Sequence, residues 1–134
     1  MIHPKMIFPA LIGLIALAGC RPDETVSAYG AAGKTWQLVE LNGQTVDQIA
    51  TLTFPEEGRI AGEGPCNSYS AAMTVPYPWF EAGPIASTRR ACPDLDFEVD
   101  YFTALSEMTL SEVLGDTLIL STPEGAQMVF KSGA

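Results

Sequence analysis

From residue 34 onward, apolar and polar positions alternate in short runs separated by turn residues, which predicts a strand-rich domain. Residues 35–41 (Thr-Trp-Gln-Leu-Val-Glu-Leu) are rich in strand formers and stop at Asn42-Gly43, a pair suited to a tight turn. Residues 50–54 alternate Leu52 and Phe54, and Pro55-Glu56-Glu57-Gly58 then turns the chain into residues 59–62, a hairpin. Tyr69 and residues 71–75 continue as a strand until Pro76 and Pro78 interrupt it; residues 79–88 resume extended structure with a bend at Gly83-Pro84. The period changes over residues 94–108, where Phe97, Tyr101, Leu105 and Met108 recur at helical spacing, the stripe of an amphipathic helix. Asp94, Asp96, Glu98 and Asp100 crowd its first turns and read as caps for the free amides there. Residues 112–114, 117–121 and 127–131, parted by Gly115-Asp116 and Thr122-Pro123-Glu124-Gly125, predict a three-stranded meander.

Ahead of this domain the pattern is different. His3 and Lys5 lead into residues 6–18, which carry no charge, and the small residues Ala18 and Gly19 precede Cys20, the layout of a signal peptide. At a rise of 1.5 Å per residue such a stretch reaches only about 20 Å, short of a roughly 30 Å hydrocarbon core, so a permanent transmembrane helix is the weaker reading. The segment Leu17-Ala18-Gly19-Cys20 resembles the lipobox of bacterial lipoproteins, whose cysteine receives a diacylglycerol before cleavage and, in many bacteria, a third acyl chain after it. Two or more chains anchor stably where one binds marginally, so the resemblance implies a protein held on a membrane by its N-terminal lipid. Arg21 rather than Asp follows the cysteine, which by the same resemblance favours the periplasmic face of the outer membrane. Residues 21–33 are small, polar and aperiodic and read as a flexible tether. The expected division is residues 1–19 as signal peptide, 20–33 as lipidated N-terminus and tether, and 34–134 as the domain.

Charge and cysteine count narrow the chemistry. Sixteen acidic against seven basic residues give a formal charge of -9, and loss of Lys5 makes it -10, which argues against nucleic acid as a partner. His3, the one histidine, leaves with the signal peptide, and with it the usual general base and metal ligand. With Cys20 assigned to lipid, Cys66 and Cys92 remain as a pair in an oxidising space, and a disulfide is the natural reading. The competing zinc site is short of ligands, and a redox-active pair is normally closely spaced.

Other motifs fail on inspection. Gly33-Lys34-Thr35 ends like a phosphate loop, but the pattern's first glycine falls on Ala28 and a strand follows where a helix is needed. Asp94-x-Asp96-x-Glu98 lacks the turn glycine (Val99) and the bidentate glutamate (Leu105) of a calcium loop. Gly62-x-Gly64 has no βαβ context for a dinucleotide. No spacing singles out a carboxylate pair, and Lys34 and Lys131, the only lysines left to serve a serine nucleophile, flank strand ends. Tyr77, Trp79 and Phe80 sit among prolines and either line a binding edge or pack the core. No cofactor and no metal is expected.

Thr35-Trp36-Gln37-Leu38, Leu52-Thr53-Phe54, Gly62-x-Gly64-x-Cys66-Asn67-x-Tyr69, Ala86-x-Thr88-Arg89-x-x-Cys92 and Gly115-Asp116-x-Leu118-x-Leu120, in that order, resemble the META domain of HslJ-type heat-inducible envelope proteins. The resemblance implies a mainly β fold, a strongly twisted antiparallel sheet curled into a partly open barrel with one amphipathic helix packed on it. The methionine usual after Thr-Arg is Arg90 here. The family is linked to heat shock, antibiotic tolerance and outer-membrane integrity, and no catalytic residue carries over. Trp36, Gly62, Gly64, Asn67, Thr88 and Arg89 match motif positions and are expected to be structural, with Asn67, Thr88 and Arg89 fixing backbone beside the Cys66–Cys92 bridge. The expected function is therefore a non-catalytic binding module for another envelope protein, active in stress tolerance. The alternatives are a carrier whose curled sheet holds a small hydrophobic ligand and an enzyme of a type the residues do not reveal.

Overall fold

The computed structural model describes residues 22–133; the expected signal peptide and the expected lipidation site Cys20 lie outside them. A short 3-10 helix (Val26–Tyr29) leads into strands β1 (Thr35–Leu41), β2 (Gln44–Thr45), β3 (Thr51–Glu56), β4 (Arg59–Glu63), β5 (Ser68–Ala72) and β6 (Ala86–Ser87). Helix α1 (Leu95–Glu107) follows, then β7 (Leu110–Leu114), β8 (Thr117–Ser121) and β9 (Gln127–Ser132). All pairings are antiparallel, and the order β6-β5-β4-β3-β1-β9-β8-β7, with β2 paired to β1 alone, makes one nine-stranded sheet.

The sheet curls without closing. β6 and β7 are its two ends, and the chain between β5 and β6 spans the gap: Trp79 bridges to Leu110, the Phe80 N–H donates to Thr109 O at 2.9 Å, and the Ser111 N–H donates to Pro78 O at 2.7 Å. Residues 79–88, expected to be extended with a bend at Gly83-Pro84, form strand pairs only at Trp79 and at β6, and Pro84 between them has no N–H to give a ladder.

Each hairpin follows from its turn. Asn42 (φ 50°) and Gly43 (φ 79°) both adopt the left-handed backbone that lets β1 turn back into β2, a pair too short to stand out in the sequence. Pro55 falls where the β3–β4 register shifts, the place in a strand where a missing N–H costs least. Inward residues of the strands fill the interior: Trp36 and Leu38 from β1, Leu52 from β3, Ile60 from β4, Leu118 and Leu120 from β8, and Met128 and Phe130 from β9 are fully buried. Tyr101, Leu105 and Met108 bring the apolar stripe of the helix region onto this core.

The expected tether is folded. Val26 and Ala31 are fully buried, the Tyr77 N–H donates to Glu24 O at 2.6 Å, Trp36 Nε1 donates to Ala31 O at 2.9 Å, and Tyr29 stacks on Tyr77 with centroids 4.6 Å apart. Small residues that look like linker in the sequence let this segment lie flat against the gap in the sheet. From Glu24 on, it is part of the domain.

Candidate functional site

Gly62, Gly64, Cys66, Asn67, Thr88 and Cys92 converge where the β4–β5 turn meets the start of α1. Cys66 and Cys92 form a disulfide across Cα atoms 5.5 Å apart, tying this turn to the loop before the helix. The side chain at the centre is Glu98, only 2% exposed. Its Oε2 accepts from the backbone N–H groups of Cys66 (2.7 Å) and Asn67 (2.9 Å), and its Oε1 accepts from Asn67 Nδ2 (2.7 Å). Asn67 Nδ2 also donates to Arg90 O at 3.0 Å, while Asn67 Oδ1 accepts from the Arg90 N–H (2.6 Å) and from Thr88 Oγ1 (3.0 Å). The Thr88 hydroxyl in turn accepts from the Ser68 N–H at 3.2 Å.

This arrangement corrects two expectations. Glu98 is not a helix cap: it points away from the free amides of its own helix and satisfies those of another segment. Its position was open to detection, because Glu98 lies in phase with Tyr101, Leu105 and Met108, an acid inside an apolar stripe. Arg89 is exposed and its side chain has no hydrogen bond among the described residues; the neighbouring Arg90 backbone makes the contacts with Asn67 instead.

The two glycines are packing requirements. A Cβ on Gly64 would stand 2.8 Å from Glu98 Oε2, and one on Gly62 would collide with the Thr51 carbonyl oxygen. That carbonyl is the hub of a second network, accepting from Tyr69 OH at 2.6 Å and Tyr101 OH at 3.1 Å, with the two hydroxyls 2.7 Å from each other. Burial drives both phenols far above their ordinary pKa, so they stay neutral and act as hydrogen-bond groups. Trp36, the remaining motif residue, sits apart in the core, with Lys34 Nζ 5.3 Å from its ring centroid.

The polar groups of the knot are bonded to one another, and no buried side-chain nitrogen or oxygen among the described residues lacks a partner. Among those residues no three His, Cys, Asp or Glu side chains gather to hold a metal. Several hollows open on the surface, including a polar one of about 250 Å³ that borders the knot at Gly64, Cys66, Asn67 and Arg90. Another, of about 460 Å³, lies between the β1–β2 hairpin and α1: Leu41, Val46 and Phe97 line it with polar Asn42, Gln48 and Asp100. A third, also about 460 Å³, is lined by Val75, Trp79, Phe80 and Met108, and meets a fourth of about 500 Å³ at Pro76.

A half-open antiparallel barrel, capped by one helix and pinned to it by a disulfide and a buried glutamate, defines the class. The META domain family model matches residues 30–134, and the chain belongs to that family. A solved structure of a protein from Burkholderia xenovorans is similar at TM-score 0.62 and 19% identity, covering 87% of this chain and 94% of its own. A DUF4847 family protein from Bacteroides vulgatus is similar at TM-score 0.62 and 16% identity, covering 79% and 96%. At such identities the likeness speaks for the fold alone. No curated protein matches the chain.

Proposed function

We propose that this chain is an envelope lipoprotein, held through acylated Cys20 on the periplasmic face of the outer membrane, whose META domain docks another envelope protein. In this reading the domain is a non-catalytic binding module, and the family's link to heat shock and envelope integrity makes its role one in stress tolerance. The observation that carries the docking role is the hollow between the β1–β2 hairpin and α1. Leu41, Val46 and Phe97 share its lining with polar Asn42, Gln44, Thr45, Gln48 and Asp100, a mixture of apolar and polar groups of the kind that transient protein interfaces bury. Ile49, the next residue after Gln48, is 60% exposed, a large apolar side chain left beside it.

An interior filled by Trp36, Leu38, Leu52, Phe130 and their neighbours favours surface docking over a ligand carried inside the sheet. The mutual hydrogen bonding of Asn67, Thr88 and Glu98 favours a structural rather than a catalytic use of the motif. Ile49→Glu tests the reading: stability is expected to change by no more than about 0.5 kcal/mol, as for surface substitutions generally, while the partner crosslinked to the native protein in intact cells is lost. Undiminished crosslinking by the folded variant would contradict it.

A further inference from the structure

Val26, Ala31 and the Glu24–Tyr77 hydrogen bond fix the N-terminal segment to the domain, which leaves almost no leash between the domain and Cys20. Cys20 is two residues from Pro22 and four from Glu24. At no more than about 3.6 Å per residue, its Cα is within about 7 Å of the first and about 14 Å of the second. A domain of this length is roughly 35 Å across, twice a radius of gyration near 13 Å with allowance for the surface. A leash that short cannot let the domain turn over, so the face around Pro22 must be the one turned to the membrane.

That face carries exposed aromatic rings. Pro22 and Glu24 line the same hollow as Pro76, and Pro76 also lines the apolar groove of Trp79. The Trp79 N–H donates to Pro76 O at 2.8 Å, and Trp79 is 57% exposed. Tyr29, stacked on Tyr77 beside Glu24, is 55% exposed. Tryptophan and tyrosine pair an apolar body with a polar edge and concentrate at the headgroup level of bilayers. The nearby carboxylates of Glu24, Glu57 and Glu81 give no attraction to anionic lipid.

We infer that the strip of Tyr29, Pro76, Tyr77 and Trp79 lies in the zwitterionic headgroup layer of the bilayer that holds the protein's own lipid anchor, fixing the orientation of the domain. The inference rests on the anchor reading above. It leaves the hollow beside Ile49, a different surface, for the protein partner.

The two tryptophans make the test direct, since Trp36 is fully buried and Trp79 is not. The acylated protein is reconstituted into phosphatidylcholine vesicles with and without brominated acyl chains. The expected result is a blue-shifted Trp79 emission that brominated lipid quenches; Trp79→Phe, with an unchanged melting curve, loses the quenching. Adding phosphatidylglycerol is expected to weaken it. Protein that co-floats with vesicles while Trp79 stays unquenched overturns the orientation and leaves the anchor standing. Native protein without acyl mass on Cys20 overturns both. Equal quenching of Cys20→Ser protein by a brominated fatty acid without vesicles would assign the groove to a carried ligand and also overturn it.

Discussion

Around Glu98, the carboxylate and the Asn67 amide are buried with their partners in hand, a disulfide closes over the turn, and two glycines clear the space. Around Trp79, the backbone is irregular, prolines break the ladder, and large rings face outward. Both regions draw on the chain between β4 and α1, and they differ in how their side chains are engaged. The Glu98 carboxylate accepts from three donors of the protein itself, whereas the Trp79 ring is more than half exposed. The family motif in this chain is therefore read as architecture, and recognition is assigned to surfaces outside the motif.

The contrast predicts an order of effects. The largest belongs to Glu98→Ala, which strips the acceptor from two buried N–H groups and the Asn67 amide; the loss is expected at about 3–5 kcal/mol by analogy with breaking a buried pair. Glu98→Gln, whose amide NH2 must face a donor either way, is expected to cost about 1–3 kcal/mol. Melting curves check both, and a Glu98→Ala protein as stable as the native one would make the knot dispensable. Close behind Glu98→Ala, and above Glu98→Gln, comes Cys66→Ser with Cys92→Ser. A bridge closing a loop of about 25 residues is worth about 3–4 kcal/mol in the chain-entropy model. The native protein should lose the same amount on reduction, and the double variant should be indifferent to reductant.

Smaller effects follow from titration. The folded-state pKa values of Tyr69 and Tyr101 lie above the ordinary 10.0, so their contribution is whole below pH 10 and is lost as pH rises beyond it. Stability measured from pH 9 to 12 should fall, and Tyr101→Phe should flatten the slope. The smallest is at Asp116, fully exposed, whose carboxyl is held below its ordinary 3.8 first by the Ser132 hydroxyl and then by Lys34. A lowered value gives stability that is present above pH 3.8 and lost as pH falls through the folded value. Asp116→Asn should remove that slight acid dependence and leave the neutral melting temperature nearly unchanged.

Much of this fold was legible in local pattern. The seven-residue β1, the β3–β4 hairpin, the helix and the closing meander follow from alternation, period and turn residues, each encoded within a dozen positions. What local pattern does not carry is long-range pairing. That β1 lies between β3 and β9, partners more than ten and more than eighty residues away, is fixed by the shared core and not by any neighbouring residue. The same holds for residues 24–33, whose small side chains suit a linker and equally suit a segment pressed against a sheet edge. Glu98 was misread because an acid in the first turn of a helix has an ordinary explanation; only the phase of its stripe distinguished it. The glycines were found by motif, and their reason, an oxygen where a Cβ would be, is visible only in three dimensions.

The division of labour between motif and surface is tested most directly by placing a photo-crosslinking residue at Ile49 in one variant and at Arg89, an exposed motif position, in another, and irradiating intact cells. The account predicts a discrete protein adduct from position 49 and none from position 89. An adduct from position 89 with none from position 49 would return recognition to the motif and contradict it.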